Sequence, residues 1–341
     1  MSWDMVGHTW AADLLRGHLA ADQVRHAYLF GGAQGLGRRT LALCLAAALL
    51  CESPPSAGEA CGSCRGCRAV AAGRHPDVHS LKADEGASIK VEDIRELQRQ
   101  LALSPHGAAR RFALLEDFDS ATDSAQNALL KTLEEPAGRV VMVLTAASPE
   151  AVLPTVASRC ETLTLRPVAR AEVEAALQAR GVAPDQAALA AAICSGRPGW
   201  ALRFANDPAL QQARQKTLAD LLRLLAADRI ERFEFAARLA ERLGKLPGFA
   251  QRRAESAQIL EHWMSLLRDG LRRGHAVKSA LENPDQSQAV AALASVWRPD
   301  EILRSVQAVE STLQALDRNA NLQVAWEVLM LDLPLLRPVS A

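Results

Sequence analysis

A glycine-rich segment, Gly31-Gly32-Ala33-Gln34-Gly35-Leu36-Gly37-Arg38-Arg39-Thr40, follows a short apolar run and opens an apolar helical pattern. Gly32 and Gly37 stand at the spacing of a phosphate loop, the Walker A pattern G-x-x-x-x-G-K-[ST]. In that motif backbone N–H groups at a helix N-terminus face phosphate oxygens. The reactive side chains differ from the motif. Arg38 fills the lysine position, and a planar guanidinium does not replace a compact ammonium that bridges phosphates. Arg39 fills the Ser/Thr position, so the hydroxyl that would reach Mg²⁺ is absent. Thr40 is one residue late, about 100° around the helix axis. A second apolar run, Phe112-Ala113-Leu114-Leu115, ends in Glu116-Asp117. Acids at that place hold Mg²⁺ and position water, but here the shorter Asp stands where a catalytic Glu is expected. The expectation is a degenerate nucleotide site formed by Gly32, Gly35, Gly37, Arg38, Glu116 and Asp117, without ATP hydrolysis of its own. Whether Arg38 still holds a phosphate stays open.

Cys51, Cys61, Cys64 and Cys67 are the second group that could do chemistry. Four thiolates at such spacing can close a tetrahedral Zn²⁺ site with Zn–S distances of about 2.3 Å. Four cysteines leave no open coordination position, so the role expected is structural. Gly62, Ser63, Arg65 and Gly66 between them are not core residue types. An iron–sulfur cluster and metal-free thiols are the other readings of the same spacing. Seven cysteines, an odd number, argue against a disulfide framework.

These residues need elements to position them. Ala27–Phe30, Arg111–Glu116, Val140–Thr145 and Glu161–Leu165 read as strands, with a weaker fifth near Val78–Leu81. Helical patterns lie between: Arg39–Leu50, Val91–Leu103 with Ile94, Leu97 and Leu101 on one face, and Ser124–Glu135, started by a box-like Asp123/Gln126 pair. Strands alternating with helices predict crossover units and a parallel sheet. After Pro167 the strand signal ends. Arg170–Arg180 and Pro184–Ile193 read as short helices. From about Asp207 nearly everything is amphipathic helix, with breaks near Pro247-Gly248, Gly274, Asn283-Pro284 and Arg298-Pro299. The predicted class is therefore α/β plus all-α. The predicted division is 1–166, with a four-cysteine insert at about 51–67, then a small helical domain 167–206 and a helical domain 207–341.

The chain has 341 residues and a formal net charge of zero, so any contact with nucleic acid is local or made through partners. The longest apolar run, Leu41 to Cys51, is shorter than the roughly 20 residues of a membrane helix. Met1-Ser2-Trp3-Asp4 lacks the basic and apolar regions of a signal peptide. A cytoplasmic protein with no membrane contact is expected.

The combination resembles a known family. The degenerate loop, the four-cysteine insert after its helix, Gly73-Arg74-His75-Pro76-Asp77, Ile89–Leu97, Asn127–Pro136 and Ser158-Arg159-Cys160 are similar to the delta-prime clamp-loader subunits of bacterial DNA polymerase III. The resemblance is close over the first two hundred residues. Beyond them Asn319-Ala320-Asn321 and the following helix carry it. It implies an AAA+ fold: a RecA-like parallel-sheet domain, a small helical lid and a C-terminal helical collar that assembles a hetero-oligomer. The implied partners are the gamma/tau and delta subunits, and through the complex the sliding clamp and primed DNA. The resemblance makes Arg159 an arginine finger acting in a neighbouring gamma/tau ATP site. It puts Thr145 at the sensor-1 position. It aligns Gly199 of Gly196-Arg197-Pro198-Gly199-Trp200-Ala201-Leu202 where active members carry a phosphate-sensing Arg. Three altered motifs favour a stator-like subunit. The competing readings are an active gamma/tau-like ATPase and a zinc-bearing DNA-binding module, the latter suggested by Arg65, Arg68 and Arg74.

Overall fold

In a computed structural model, residues 3–84, 87–106, 110–136, 139–277 and 280–334 are described. The chain falls into two compact units, 1–181 with 194–202, and 182–193 with 203–341.

The first unit is built on five parallel strands: β1 (Ala27–Gly31), β2 (Val78–Lys82), β3 (Arg111–Glu116), β4 (Val140–Ala146) and β5 (Glu161–Thr164). Their order is β2-β3-β4-β1-β5. The three central strands are buried along their whole length, which is why they read as continuous apolar runs. The edge strands β2 and β5 are partly exposed and carry mixed sequences, which explains the weak signal near Val78.

Helices cover both faces, and alternation along the strands sorts the two cores. Tyr28, Phe30, Phe112, Leu114, Val141 and Val143 face one layer, with α1 (Thr9–Ala20) and α2 (Arg38–Leu49). Leu29, Ala113, Leu115, Met142 and Leu144 face the other, with α4 (Val91–Ala102), α5 (Asp123–Glu134) and the short α6 (Pro154–Ala157); α3 (Arg65–Ala71) follows the cysteine segment. Ile94, Leu97 and Leu101 are buried, as their spacing predicts. The start of α5 differs from the Asp123/Gln126 expectation. Thr122 is the N-cap, its hydroxyl accepting from Ala125 N. Gln126 takes no part in the cap. It is buried, donates to Ala121 O and accepts from Leu153 N at 2.8 Å.

The helix α7 (Arg170–Ala179) closes the first unit, and α8 (Pro184–Ile193) groups with the second; α9 (Pro198–Asn206) straddles the division. The rest of the second unit is α10 (Pro208–Ala226), α11 (Arg229–Gly244), α12 (Phe249–Gly274), α13 (Ser287–Val296), α14 (Pro299–Asp317) and α15 (Leu322–Asp332). Breaks at Gly248, Gly274, Asn283-Pro284 and Pro299 fall where the sequence put them. A further break at Ala227-Asp228 had no glycine or proline to mark it. It is set by Asp228, whose carboxylate caps α11 through Glu231 N. The core centres on Trp263 and Trp326, both fully buried and packed edge-to-face with centroids 5.4 Å apart. Buried Arg232 donates to the carbonyls of Leu224, Leu225, Met330, Leu333 and Pro334. One guanidinium thus gathers carbonyls from the carboxyl end of α10 and from the last turn of α15 and the residues just after it.

Candidate functional site: a self-paired phosphate loop, a cysteine cluster and an exposed arginine

The loop after β1, the acids after β3 and Thr145 on β4 lie at the carboxyl ends of adjacent parallel strands, where such sheets bind ligands. Gly32 N extends the strand by donating to Ala146 O and Ala147 O. Gly37 is the N-cap of α2, and Arg38 and Arg39 are its first two residues. Both arginines turn onto the acids. Arg38 Nη2 donates to Asp117 Oδ1 at 2.8 Å, and Arg39 Nε donates to Glu116 Oε1 at 2.9 Å. Arg38 and Glu116 are each 8 % exposed, so these pairs are part of the packed site, although Asp117 and Arg39 reach solvent. Ser80 also donates to Glu116 Oε1. Asp117 itself sits at φ 49°, a left-handed position that Asp tolerates better than most residues. Thr145, 2 % exposed, uses its hydroxyl to accept from Asp117 N at 2.9 Å.

The loop is also tied to the start of α9 within the same unit, although Ala33 and Gln34 stay exposed. Gly199 N donates to Gly35 O at 2.8 Å. Gly35 has φ +89°, and a Cβ there would lie 3.2 Å from Trp200 N, so only glycine serves the turn and the approach together. A Cβ on Gly199 would lie 3.1 Å from Gly35 O, so both sides of this contact favour glycine. The family resemblance only aligned Gly199 with an arginine of active members; that its amide reaches the loop was not legible, because the two glycines are far apart in the chain.

Cys51, Cys61, Cys64 and Cys67 come together, their four Sγ atoms all within 4.8 Å of one another. A tetrahedral zinc–thiolate centre with bonds of about 2.3 Å puts sulfurs about 3.8 Å apart. The Cys61 and Cys67 sulfurs stand at 4.0 Å. Three backbone amides point inward, Cys61 N to Cys51 Sγ, Cys64 N to Cys61 Sγ and Cys67 N to Cys64 Sγ, each at 3.3 Å. Such donors stabilise thiolates. The amides of Cys64 and Ser63 hold the Cys61 thiol down at about 6. Burial pushes Cys67 up to about 12. A divalent cation is the group that would bring both to thiolate, so the donor set fits zinc. Gly66 departs from the sequence reading: it is buried, and a Cβ would lie 2.6 Å from Leu50 O.

Arg159 is not part of the loop cluster. It follows α6, and its side chain is 36 % exposed. Nη1 donates to Thr155 O at 2.9 Å and Nη2 to Glu134 Oε1 at 2.5 Å. Neighbouring Cys160 is packed against the core, and burial pushes its thiol up to about 12, which makes it inert. The sequence marked Gln126 only as part of a helix cap and Glu134 only within the Asn127–Pro136 stretch, because neither belongs to a ligand-type spacing.

Comparison with known proteins gives concordant results. Residues 7–169 match the family described as DNA polymerase III, delta subunit, and residues 212–334 match its C-terminal family. A DNA polymerase III subunit delta′ from Pseudomonas aeruginosa is 43 % identical over 139 residues, 40 % of this chain and 42 % of that protein. The Escherichia coli subunit delta′ is 32 % identical over 287 residues, 83 % of this chain and 80 % of that protein. The chain thus spans less than half of the first relative and four-fifths of the second. A crystal structure of a DNA polymerase III gamma subunit-related protein from Thermotoga maritima superposes with a TM-score of 0.51 at 19 % identity. It covers 94 % of this chain and 98 % of that one. At that identity the likeness speaks for the fold alone, an α/β sheet with a helical C-terminal part.

Proposed function

This chain belongs to the family of DNA polymerase III delta′ subunits, and from that premise we propose that it is a stator-like clamp-loader subunit: it hydrolyses no ATP and serves the ATP site of a neighbour. The observation that carries the first half is the pairing of Arg38 with Asp117 and Arg39 with Glu116. In a working phosphate loop the corresponding groups face phosphate and Mg²⁺. Here they neutralise each other, and Gly199 closes on Gly35.

The second half is the role of Arg159. A guanidinium supplied in trans stabilises charge on the transferring phosphoryl oxygens and in GTPase systems accelerates turnover by roughly 10³–10⁵. Arg159 is partly exposed, and among the described residues its two hydrogen bonds leave donors of its five-donor fork available. The partners in this reading are gamma/tau and delta subunits in a hetero-oligomer, acting on a sliding clamp and primed DNA in the cytoplasm. The functional division is 1–166, 167–206 and 207–341, with the last as collar. Cys51, Cys61, Cys64 and Cys67 hold a structural Zn²⁺, which stabilises the insert and takes no part in chemistry. Val324, Val328 and Leu331, exposed along one side of α15, are the apolar surface that the collar offers to a neighbour.

The test is reconstitution with gamma/tau and delta subunits and measurement of clamp- and DNA-stimulated ATP turnover. Arg159→Ala is expected to leave the complex intact and to lower turnover at least tenfold. Unchanged turnover would remove Arg159 from the mechanism, and phosphate release by the isolated chain near one per second would remove the stator role.

A further inference from the structure

The short helix before Arg159 is clamped at both ends by α5. A four-residue helix such as α6 has no stability of its own. At its start, Leu153 N donates to buried Gln126 in the first turn of α5 at 2.8 Å. Just past its end, Arg159 Nη2 donates to Glu134, the last residue of α5, at 2.5 Å. The two anchor points are eight residues apart, about 12 Å of helix. A third bond, Arg159 Nη1 to Thr155 O, fixes the other terminal nitrogen. Both ends of the guanidinium fork are therefore held from different elements.

We propose, on the assignment of Arg159 as the trans-acting group, that Glu134 is a positioning residue which sets the orientation of the Arg159 guanidinium for the neighbour's phosphate. The direction of the effect separates this from a parking role, in which Glu134 merely competes with phosphate. Arg159 is 36 % and Glu134 50 % exposed. A pair so exposed biases an equilibrium by about fivefold at most. Parking could therefore slow the neighbour's site by no more than that, and removing Glu134 would raise turnover. Misplacing a preorganised group by 1 Å costs on the order of 100-fold. Removing a positioning carboxylate therefore lowers turnover, within the fivefold that the pair's strength allows, whereas removing a parking carboxylate raises it.

The experiment uses the reconstituted complex with wild type, Glu134→Ala, Glu134→Gln, Arg159→Ala and the double alanine variant. Glu134→Ala is expected to lower kcat for ATP about three- to fivefold with KM unchanged. Glu134→Gln, which keeps an acceptor oxygen, is expected to lose less, and it carries the test if the alanine variant does not assemble. The double variant should be no slower than Arg159→Ala alone, because Glu134 acts through that side chain. Turnover raised or unchanged in both Glu134 variants, or losses that multiply in the double variant, would overturn the inference. Arg159→Ala without effect would overturn the assignment and the inference together, whereas a slow Arg159→Ala beside a normal Glu134→Ala would overturn the inference alone.

Discussion

At the scale of single residues the site is defined by what the arginines are bonded to. Arg38 is 8 % exposed, and its partner Asp117 has a side chain 39 % exposed. Removing one member of a fully buried pair costs about 3–5 kcal/mol, but solvent reaches this carboxylate and screens it. Arg38→Ala is therefore expected to destabilise the first unit by about 1–2 kcal/mol, read as a shift of its urea midpoint. No change would mean that the pair contributes nothing to folding. The sequence set Arg38 and Arg39 at the positions where the phosphate-loop pattern has lysine and a hydroxyl residue, because a pattern fixes which position each side chain occupies. It did not announce their ion pairs with Asp117 and Glu116, about eighty residues away, since those depend on β1 and β3 being separated by β4 alone.

At the scale of elements, short local devices set the boundaries. The cysteine segment meets the rest of the unit at points such as Trp3 Nε1 to Gly58 O and Arg16 to Glu59, and structural zinc contributes on the order of 10–16 kcal/mol of apparent binding energy in isolated peptides. Cys64→Ser is expected to lower the zinc content from one per chain to near zero and to expose the 51–67 segment to protease while the sheet persists. Metal analysis with limited proteolysis checks both, and full zinc content in the variant would refute the ligand role. In the helical unit, Arg214 is 2 % exposed and donates to both Asp285 oxygens, at 2.7 and 3.0 Å, and to Asn283. Burial pushes the Asp285 carboxyl up, but the Arg214 hydrogen bonds and charge outweigh it and hold the carboxyl below its usual range. A folded-state value below the unfolded one means that the stabilisation is complete above about pH 4 and is lost as pH falls through the folded value. Arg214→Ala should therefore be less stable than wild type at pH 7, with the gap narrowing below about pH 4. A gap independent of pH, followed by circular dichroism during urea titration, would show that the guanidinium acts through packing alone.

At the scale of the whole molecule, the proposal is that a nucleotide-type sheet became a rigid part of a larger machine. Val324, Val328 and Leu331 are 53 %, 48 % and 55 % exposed on a helix whose opposite side buries Trp326 and Leu329. Val324→Asp with Val328→Asp is expected to abolish co-elution with gamma/tau and delta subunits and to leave the melting temperature of the free chain nearly unchanged, since neither side chain is in the core. Retained co-elution would move the collar contact elsewhere. The sequence by itself determined the α/β sheet followed by helices, because buried parallel strands must be apolar throughout and amphipathic helices must repeat every 3–4 residues. It also determined the identities of the loop, acid and cysteine groups, because each is a local pattern. Only the tertiary structure decided how those groups are used: that Arg38 and Arg39 close on Asp117 and Glu116, that Gly199 seals Gly35, that Gln126 rather than a helix cap holds Leu153, and that Glu134 meets Arg159. Each of these joins residues far apart in the chain, and the strand order and helix packing that bring them within hydrogen-bond reach leave no trace in local spacing.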